Sequence, residues 1–213
     1  MLNLDCKYFR GRALPEVIPK DFEELRGKYV AIGVIAALIR RSESALELLM
    51  LRHKPSEKVT TGTWGPLGEI VQAVYFEGRP ARIESLKETL ERGIREELEP
   101  FEASIPLPYL GYFFSEREVV PGGGMALAIC PVIDCGLEDW FSTHPDTREI
   151  AETRFMSTED ALSMDPGVLR PQTHRFAREL MEFMSPPPMS KFIRLQFEEP
   201  GKVFGYEDLV LQR

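Results

Sequence analysis

Apolar residues fall in unbroken runs along some parts of the chain and in stripes along others, and the change of period marks out the elements. YVAIGVIAALI at 29–39 is rich in Val and Ile and predicts a buried strand. The polar RRSES turns the chain, and ALELLMLRH at 45–53 returns it as the second strand of a hairpin. KPSEKVTTGTWGPLGE is a long loop full of Gly, Pro and Thr, leading into a short strand around EIVQAVYF. PLPYLGYFFSERE and GMALAICPVIDC are two further strand-like runs joined by VVPGGG. A strand follows that Gly triplet and no Lys-Ser/Thr pair does, so it predicts a hairpin loop and not a phosphate loop.

ETRFMSTEDALSM predicts a strand end and a short helix, with Ser157 and Asp160 placed as a capping box. PQTHRFARELMEFM puts Pro171 at the first helical position and Phe176, Leu180, Phe183 and Met184 on one face, which predicts a terminal amphipathic helix. SPPPM at 185–189 reads as a stiff linker, and FIRLQF and KVFGYEDLVLQR flank EEPG as an appended hairpin. Mixed strands with two or three helices predict an α+β fold, an α/β/α sandwich. The expected organisation is an extension over 1–27, a domain over 28–184, and a Pro linker with a C-terminal β-hairpin over 185–213.

The stripe with the most chemistry runs from Ile83 to Leu98. At about 100° per residue, Ile83, Leu86, Leu90, Ile94 and Leu98 form one apolar face. Glu97 lands inside that face between Leu86 and Leu90, and Glu96 lies just outside its edge. Arg92 and Glu88 fall on the opposite, solvated side. Gly93 sits one turn before Glu97, where glycine costs about 1 kcal/mol against alanine. A carboxylate on a buried face is costly unless a cation or a donor meets it. Glu97 is a core Glu satisfied by an Arg, or the helix rotates enough to expose it, or it faces a divalent cation; Mg²⁺ favours one or two carboxylates together with phosphate oxygens.

Composition narrows the partners. The chain has 213 residues, 43% hydrophobic and 28% charged, which suits one domain with extensions and a real core. A net charge of −8 and a pI near 5.1 argue against general nucleic-acid binding, and they leave room for a small anionic ligand held by a few Arg and Lys. Cys6, Cys130 and Cys135 are too few for a disulfide framework, and no second Cys/His pair completes a zinc site with 130 and 135. The N-terminal MLNLDCKYFRGR has no apolar core segment, and the longest apolar run is too short to span a bilayer. A cytoplasmic, reduced protein with no membrane partner is expected.

Gly78, Glu84, Arg92, Ile94, Glu96 and Glu97 stand in order on the spacing G-x5-E-x7-R-E-U-x-E-E, with U a bulky aliphatic. This resembles the signature of the Nudix hydrolases. IRRSESALELLMLRH followed by TGTWGPLGEIV resembles the family's hairpin and Trp-Gly lead-in, and ETRFMSTEDALSM its late strand and short helix, so the likeness covers roughly 28–184. It implies a mixed sheet flanked by helices. It also implies Mg²⁺- or Mn²⁺-dependent hydrolysis of a pyrophosphate bond in a nucleoside diphosphate derivative. The partner is then a small, phosphorylated, nucleotide-like molecule, and the chain is expected to form a homodimer.

The sequence departs from the pattern at Gly93, which replaces the first of the three helix glutamates, and at Glu99 and Pro100, which replace the closing Gly and aliphatic. Gly78 keeps the motif spacing, whereas the Trp-Gly lead-in favours Gly68 as the motif glycine, with an inserted loop of about nine residues around VQAVYFEGR. The resemblance then implies Glu97 and Glu96 as metal ligands, the Gly68 carbonyl as a further one, and Glu84 as a loop anchor or second-metal ligand. Arg92 orients a carboxylate or the helix end, and Glu149, with Glu152 next, supplies the general base. At the end of the second strand Arg52, His53 and Lys54 either meet phosphate or form a solvated strand end, and Glu152 joins them as a candidate substrate contact. Tyr109, Tyr112 and Phe113 either stack a base or pack in the core.

Two rival functions share the fold. One is a ligand-binding or sensor domain that has lost hydrolysis, supported by Gly93; the other acts on a phosphorylated metabolite in a biosynthetic pathway. For the enzyme, a Gly93→Glu substitution is expected to strengthen metal binding.

Overall fold

A computed structural model describes residues 8–14, 25, 27–41, 45–54, 63–76, 79–100, 107–118, 124–136, 141–142 and 150–185. The strands that frame the first hairpin are β1 (Tyr8–Arg10), β2 (Ala31–Arg41), β3 (Leu46–His53), β4 (Trp64–Gly65) and β5 (Leu67–Ile70). β6 (Ala73–Phe76) and β7 (Arg79–Ile83) precede helix α1 (Leu86–Glu97). After it come β8 (Glu99–Pro100), β9 (Tyr109–Glu118), β10 (Met125–Asp134), β11 (Phe141–Ser142) and β12 (Ile150–Ser157). Helices α2 (Thr158–Ser163) and α3 (Thr173–Met184) follow, separated by a 3-10 turn at Pro166–Val168.

The main sheet runs β1-β9-β10-β2-β3-β12, with β4 added to β3 and β5 to β2. β10 is parallel to β2, and the other pairs are antiparallel. β2 is apolar from Ala31 to Ile39, where both its faces are covered, and it ends in Arg40 and Arg41. Ile32, Val34, Ala36 and Leu38 belong to the core under α1, while Ala37 and Ile39 belong to the core under α2 and α3. Leu86, Leu90, Ile94 and Leu98 close the first core, and Phe176, Leu180 and Phe183 close the second. The expected α/β/α sandwich is the observed arrangement.

Several boundaries differ from the sequence expectation. α1 begins at Leu86 and not at Ile83, because Ile83 ends β7 and Ser85 caps the helix. Ser85 Oγ accepts from Glu88 N and Glu88 accepts from Ser85 N, a complete capping box. The inserted segment is not a loop: Ala73–Phe76 and Arg79–Ile83 pair as an antiparallel hairpin, closed at its base by Glu84 N donating to Gln72 O at 2.9 Å. Gly78 lies outside the described residues. At α2, Ser157 accepts from Asp160 N, which is half of the expected box. Pro171 precedes the first turn of α3, whose N-cap is Gln172 in the left-handed region at φ 67°. β9 and β10 pair as the expected hairpin, whereas the C-terminal hairpin lies outside the described residues.

Tyr8–Arg10 adds an edge strand to β9, so part of the segment before residue 28 belongs to the sheet. Arg10 also closes the far end of α3, with Nε donating to Phe183 O at 2.7 Å and Nη2 donating to Glu182 O and Ser185 O at 3.0 Å. Tyr112 and Phe113 pack in the core on opposite faces of β9.

Candidate functional site

Glu97 is 4% exposed, as its place within the apolar stripe requires, and Glu96 beside it keeps 57% of its side chain in solvent. Arg92 corrects the helical-wheel expectation. It is not on a solvated face; only 18% of its side chain is exposed, because the β6–β7 hairpin base and β5 cover that side of α1. Its Nε donates to Glu84 Oε1 at 2.9 Å, and its Nη2 donates to Ile70 O at 2.9 Å and to Glu84 Oε2 at 3.2 Å. Its Nη1 donates to Glu69 Oε2 at 2.7 Å and to Glu96 Oε2 at 3.1 Å. One guanidinium thus gathers three carboxylates from two elements and a loop.

Glu84 is the most firmly held of the three. Besides Arg92, it accepts from Gln72 N and Thr89 Oγ1, both at 3.1 Å. Burial alone would raise its pKa, but hydrogen bonds from Arg92, the Gln72 amide and Thr89 outweigh it and hold the carboxyl below its ordinary range. The same pairing raises the Arg92 pKa, so its charge is fixed. Glu84 therefore locks the hairpin base to the first turn of α1.

Gly93 is explained by close approach. A Cβ at this position would overlap Cγ of Glu69 and stand 3.3 Å from Leu67 Cδ2. β5 crosses α1 here, and glycine lets the Glu69 side chain pass. This reverses the expectation that Gly93→Glu strengthens the site, since the new side chain and Glu69 need the same volume. Gly68 shows no such need; a Cβ there meets only ordinary contacts, the nearest at 3.6 Å. It lies in β5 opposite Ile35, one residue before Glu69.

The end of β3 splits between the two faces of the sheet. His53 lies on the α1 side, with Nε2 3.8 Å from Glu97 Oε1. The Arg170 guanidinium donates to that same Nε2, so the nitrogen is an acceptor and the ring is neutral. Burial and then Arg170 lower the His53 pKa to about 4, in agreement. The His53–Glu97 approach is accordingly not an ion pair. Arg170 reaches His53 because Gly65 has no side chain: a Cβ there would lie 2.5 Å from Arg170 Cδ. Its backbone is fixed by Arg170 N donating to Trp64 O at 2.8 Å.

On the other face, Arg52 pairs with Glu152 at 2.9 Å, and Arg154 donates to Glu152 at 2.8 Å. Both guanidiniums lie over the Trp64 ring, at 5.6 and 5.2 Å from its centroid. The candidates Arg52 and Glu152 therefore form one network, His53 and Glu97 another, and Lys54 is exposed. Glu149 lies outside the described residues.

No protein-family profile matches the chain, and no curated protein matches it. Solved structures do. The Nudix domain of Shewanella oneidensis NrtR, crystallised with ADP ribose, superposes with a TM-score of 0.50 at 15% identity, over 73% of this chain and 88% of that one. The Nudix hydrolase RenU from M. smegmatis superposes with a TM-score of 0.51 at 16% identity, over 74% of this chain and 88% of that one. The chain has the Nudix fold.

Carboxylate oxygens are the donors a hard divalent cation such as Mg²⁺ or Mn²⁺ takes, and this wall of the Nudix fold presents four carboxylates: Glu69 from β5, Glu96 and Glu97 from α1, and Glu84 from the loop before α1. Among the described residues no three His, Cys, Asp or Glu side chains are already gathered at one point as a metal site. Glu69, Glu84 and Glu96 are gathered on Arg92 instead. The donor set fits such a cation in kind, and Arg92 is the cation it competes with. Sequence reasoning missed Glu69 and Arg170. The Gly-Glu pair following Trp-Gly-Pro-Leu was a signal for Glu69 once Gly93 was noticed; Arg170 carries none, because its contact depends on a loop crossing β4.

Proposed function

We propose that this chain is a Nudix-type pyrophosphohydrolase that cleaves the diphosphate bond of a nucleoside diphosphate derivative with the help of Mg²⁺ or Mn²⁺. The observation that supports it best is the carboxylate wall on α1 and β5, built around Arg92 in a Nudix fold. Glu97, Glu96 and the Gly68 carbonyl are the groups that would hold the cation. When bound, it neutralises charge on the diphosphate and polarises the phosphorus under attack.

The chain's own residues supply positioning and proton transfer. Arg92 is a positioning residue: it sets the rotamers of Glu69 and Glu96 and, through Glu84, fixes the helix start against the hairpin. Neutral His53 with Arg170 presents donor capacity and one positive charge beside Glu97, where a phosphate oxygen is expected. Water attacks phosphorus, the bridging P–O bond breaks, and the leaving phosphate takes the electron pair; Glu149 is the proposed base for the water proton. The ADP ribose bound by the NrtR Nudix domain supports nucleoside diphosphate derivatives as the substrate class. Cys130 and Cys135, both buried as thiols, support a reducing, cytoplasmic setting.

The binding-domain alternative draws support from Arg92, which already pairs with three of the acids. The two separate in one assay: monophosphate release, with Mg²⁺ or Mn²⁺, from a panel of nucleoside diphosphate derivatives that includes ADP ribose. Release from at least one member is expected. No turnover across the panel, together with ligand-induced thermal stabilisation, supports the binding domain.

A further inference from the structure

Position 93 is where the α1 wall lacks a side chain beside Glu96 and Glu97, and the fold does not leave the volume open. The Glu69 side chain runs through the space in which a residue-93 side chain would begin, with its carboxyl carbon 3.4 Å from the place of the absent Cβ. Glu69 and Glu96 bond the same nitrogen of Arg92, at 2.7 and 3.1 Å, so their carboxylates are neighbours across the β5–α1 contact. In a helix, position 93 adjoins 96 and 97, at i+3 and i+4. A carboxylate reaching in from β5 at this point is therefore beside the two that α1 still carries.

We propose that Glu69 takes the place of the missing helix carboxylate, so that the acids available to a cation are Glu69, Glu96 and Glu97, the first delivered by a strand. This rests on the hydrolase reading above and assigns which residue carries the charge. Gly93 and Glu69 are an exchanged pair: residue 93 must be small because Glu69 crosses it, and Glu69 holds the charge that a side chain at 93 has no room to hold. A Glu69 that served only to orient Arg92 predicts no rescue when the carboxylate is moved back to the helix.

That exchange is the test. Wild type, Glu69→Ala, Glu69→Gln, Gly93→Glu, the double variant Glu69→Ala/Gly93→Glu and Glu97→Gln are titrated with Mn²⁺, the free ion being read by electron paramagnetic resonance and the melting temperature recorded for each. Glu69→Ala and Glu69→Gln are expected to lose at least about tenfold in Mn²⁺ affinity. Gly93→Glu alone is expected to bind more weakly and melt lower, since two side chains compete for one volume. The double variant is expected to regain most of the affinity. Wild-type affinity in Glu69→Gln, which keeps the size of the side chain and its hydrogen bond, overturns the proposal; so does a double variant no tighter than Glu69→Ala. Either result leaves the hydrolase reading standing provided Glu97→Gln loses the ion. A wild type that binds no Mn²⁺ overturns the hydrolase reading and the proposal with it.

Discussion

Arg92 is the residue on which the local electrostatics turn. The largely buried Glu69 and Glu84 are tolerable on this wall because the guanidinium fork reaches both, and Glu96 besides, which the point charge of a lysine cannot do. Removing one partner from a largely buried charge network leaves like charges facing each other. Arg92→Met is therefore expected to lower unfolding stability by about 3 kcal/mol. Urea denaturation measures this, and a loss no larger than that of an ordinary surface substitution contradicts the account. Gly93 carries the opposite lesson. By propensity it is a flaw in a helix, and its reason lies in a strand more than twenty residues away, so no local pattern could supply it.

At the scale of elements, α1 is held at its start by more than its apolar stripe. Glu88 closes the capping box and also binds Arg82 through both oxygens, at 2.6 Å each. The Arg82 hydrogen bonds, then the Ser85 amide, lower its pKa from 4.5 to about 2. A carboxylate depressed on folding stabilises above its unfolded pKa and loses that contribution as pH falls through its folded one. The melting-temperature gap between wild type and Glu88→Gln should thus be full near neutrality, close as pH falls from 4.5 and vanish near 2. A gap independent of pH contradicts the assignment. The β2–β3 hairpin and α1 were legible in the sequence because each has one strong period and a large apolar face. The β6–β7 hairpin was not: its strands are four and five residues long, and one contains proline, so AVYF merged with the preceding strand and Ile83, the last residue of RPARI, with the helix. Of the candidate site, the α1 acids were legible from their spacing, whereas Glu69 and Arg170 enter through tertiary crossings that leave no periodic trace.

At the scale of the whole molecule, β1 ties the edge of the main sheet to the end of α3. Arg10 satisfies three carbonyls at the C-terminus of α3, and Tyr8 bonds Glu182 on the same helix. Arg10→Ala is expected to cost about 2 kcal/mol, because those carbonyls lose a charged donor at the negative end of the helix. Thermal melts check it, and an unchanged midpoint contradicts it. Among the described residues no helix is long and apolar enough to cross a membrane.

The central claim is that the acids of α1, Glu97 foremost, serve hydrolysis of a diphosphate. Its most direct test is ³¹P NMR of a nucleoside diphosphate derivative incubated with Mg²⁺ and either wild type or Glu97→Gln. Wild type should convert the diphosphate resonances to monophosphate, and Glu97→Gln, folded as judged by an unaltered circular-dichroism spectrum, should leave them unchanged. Equal turnover by the two proteins contradicts the claim.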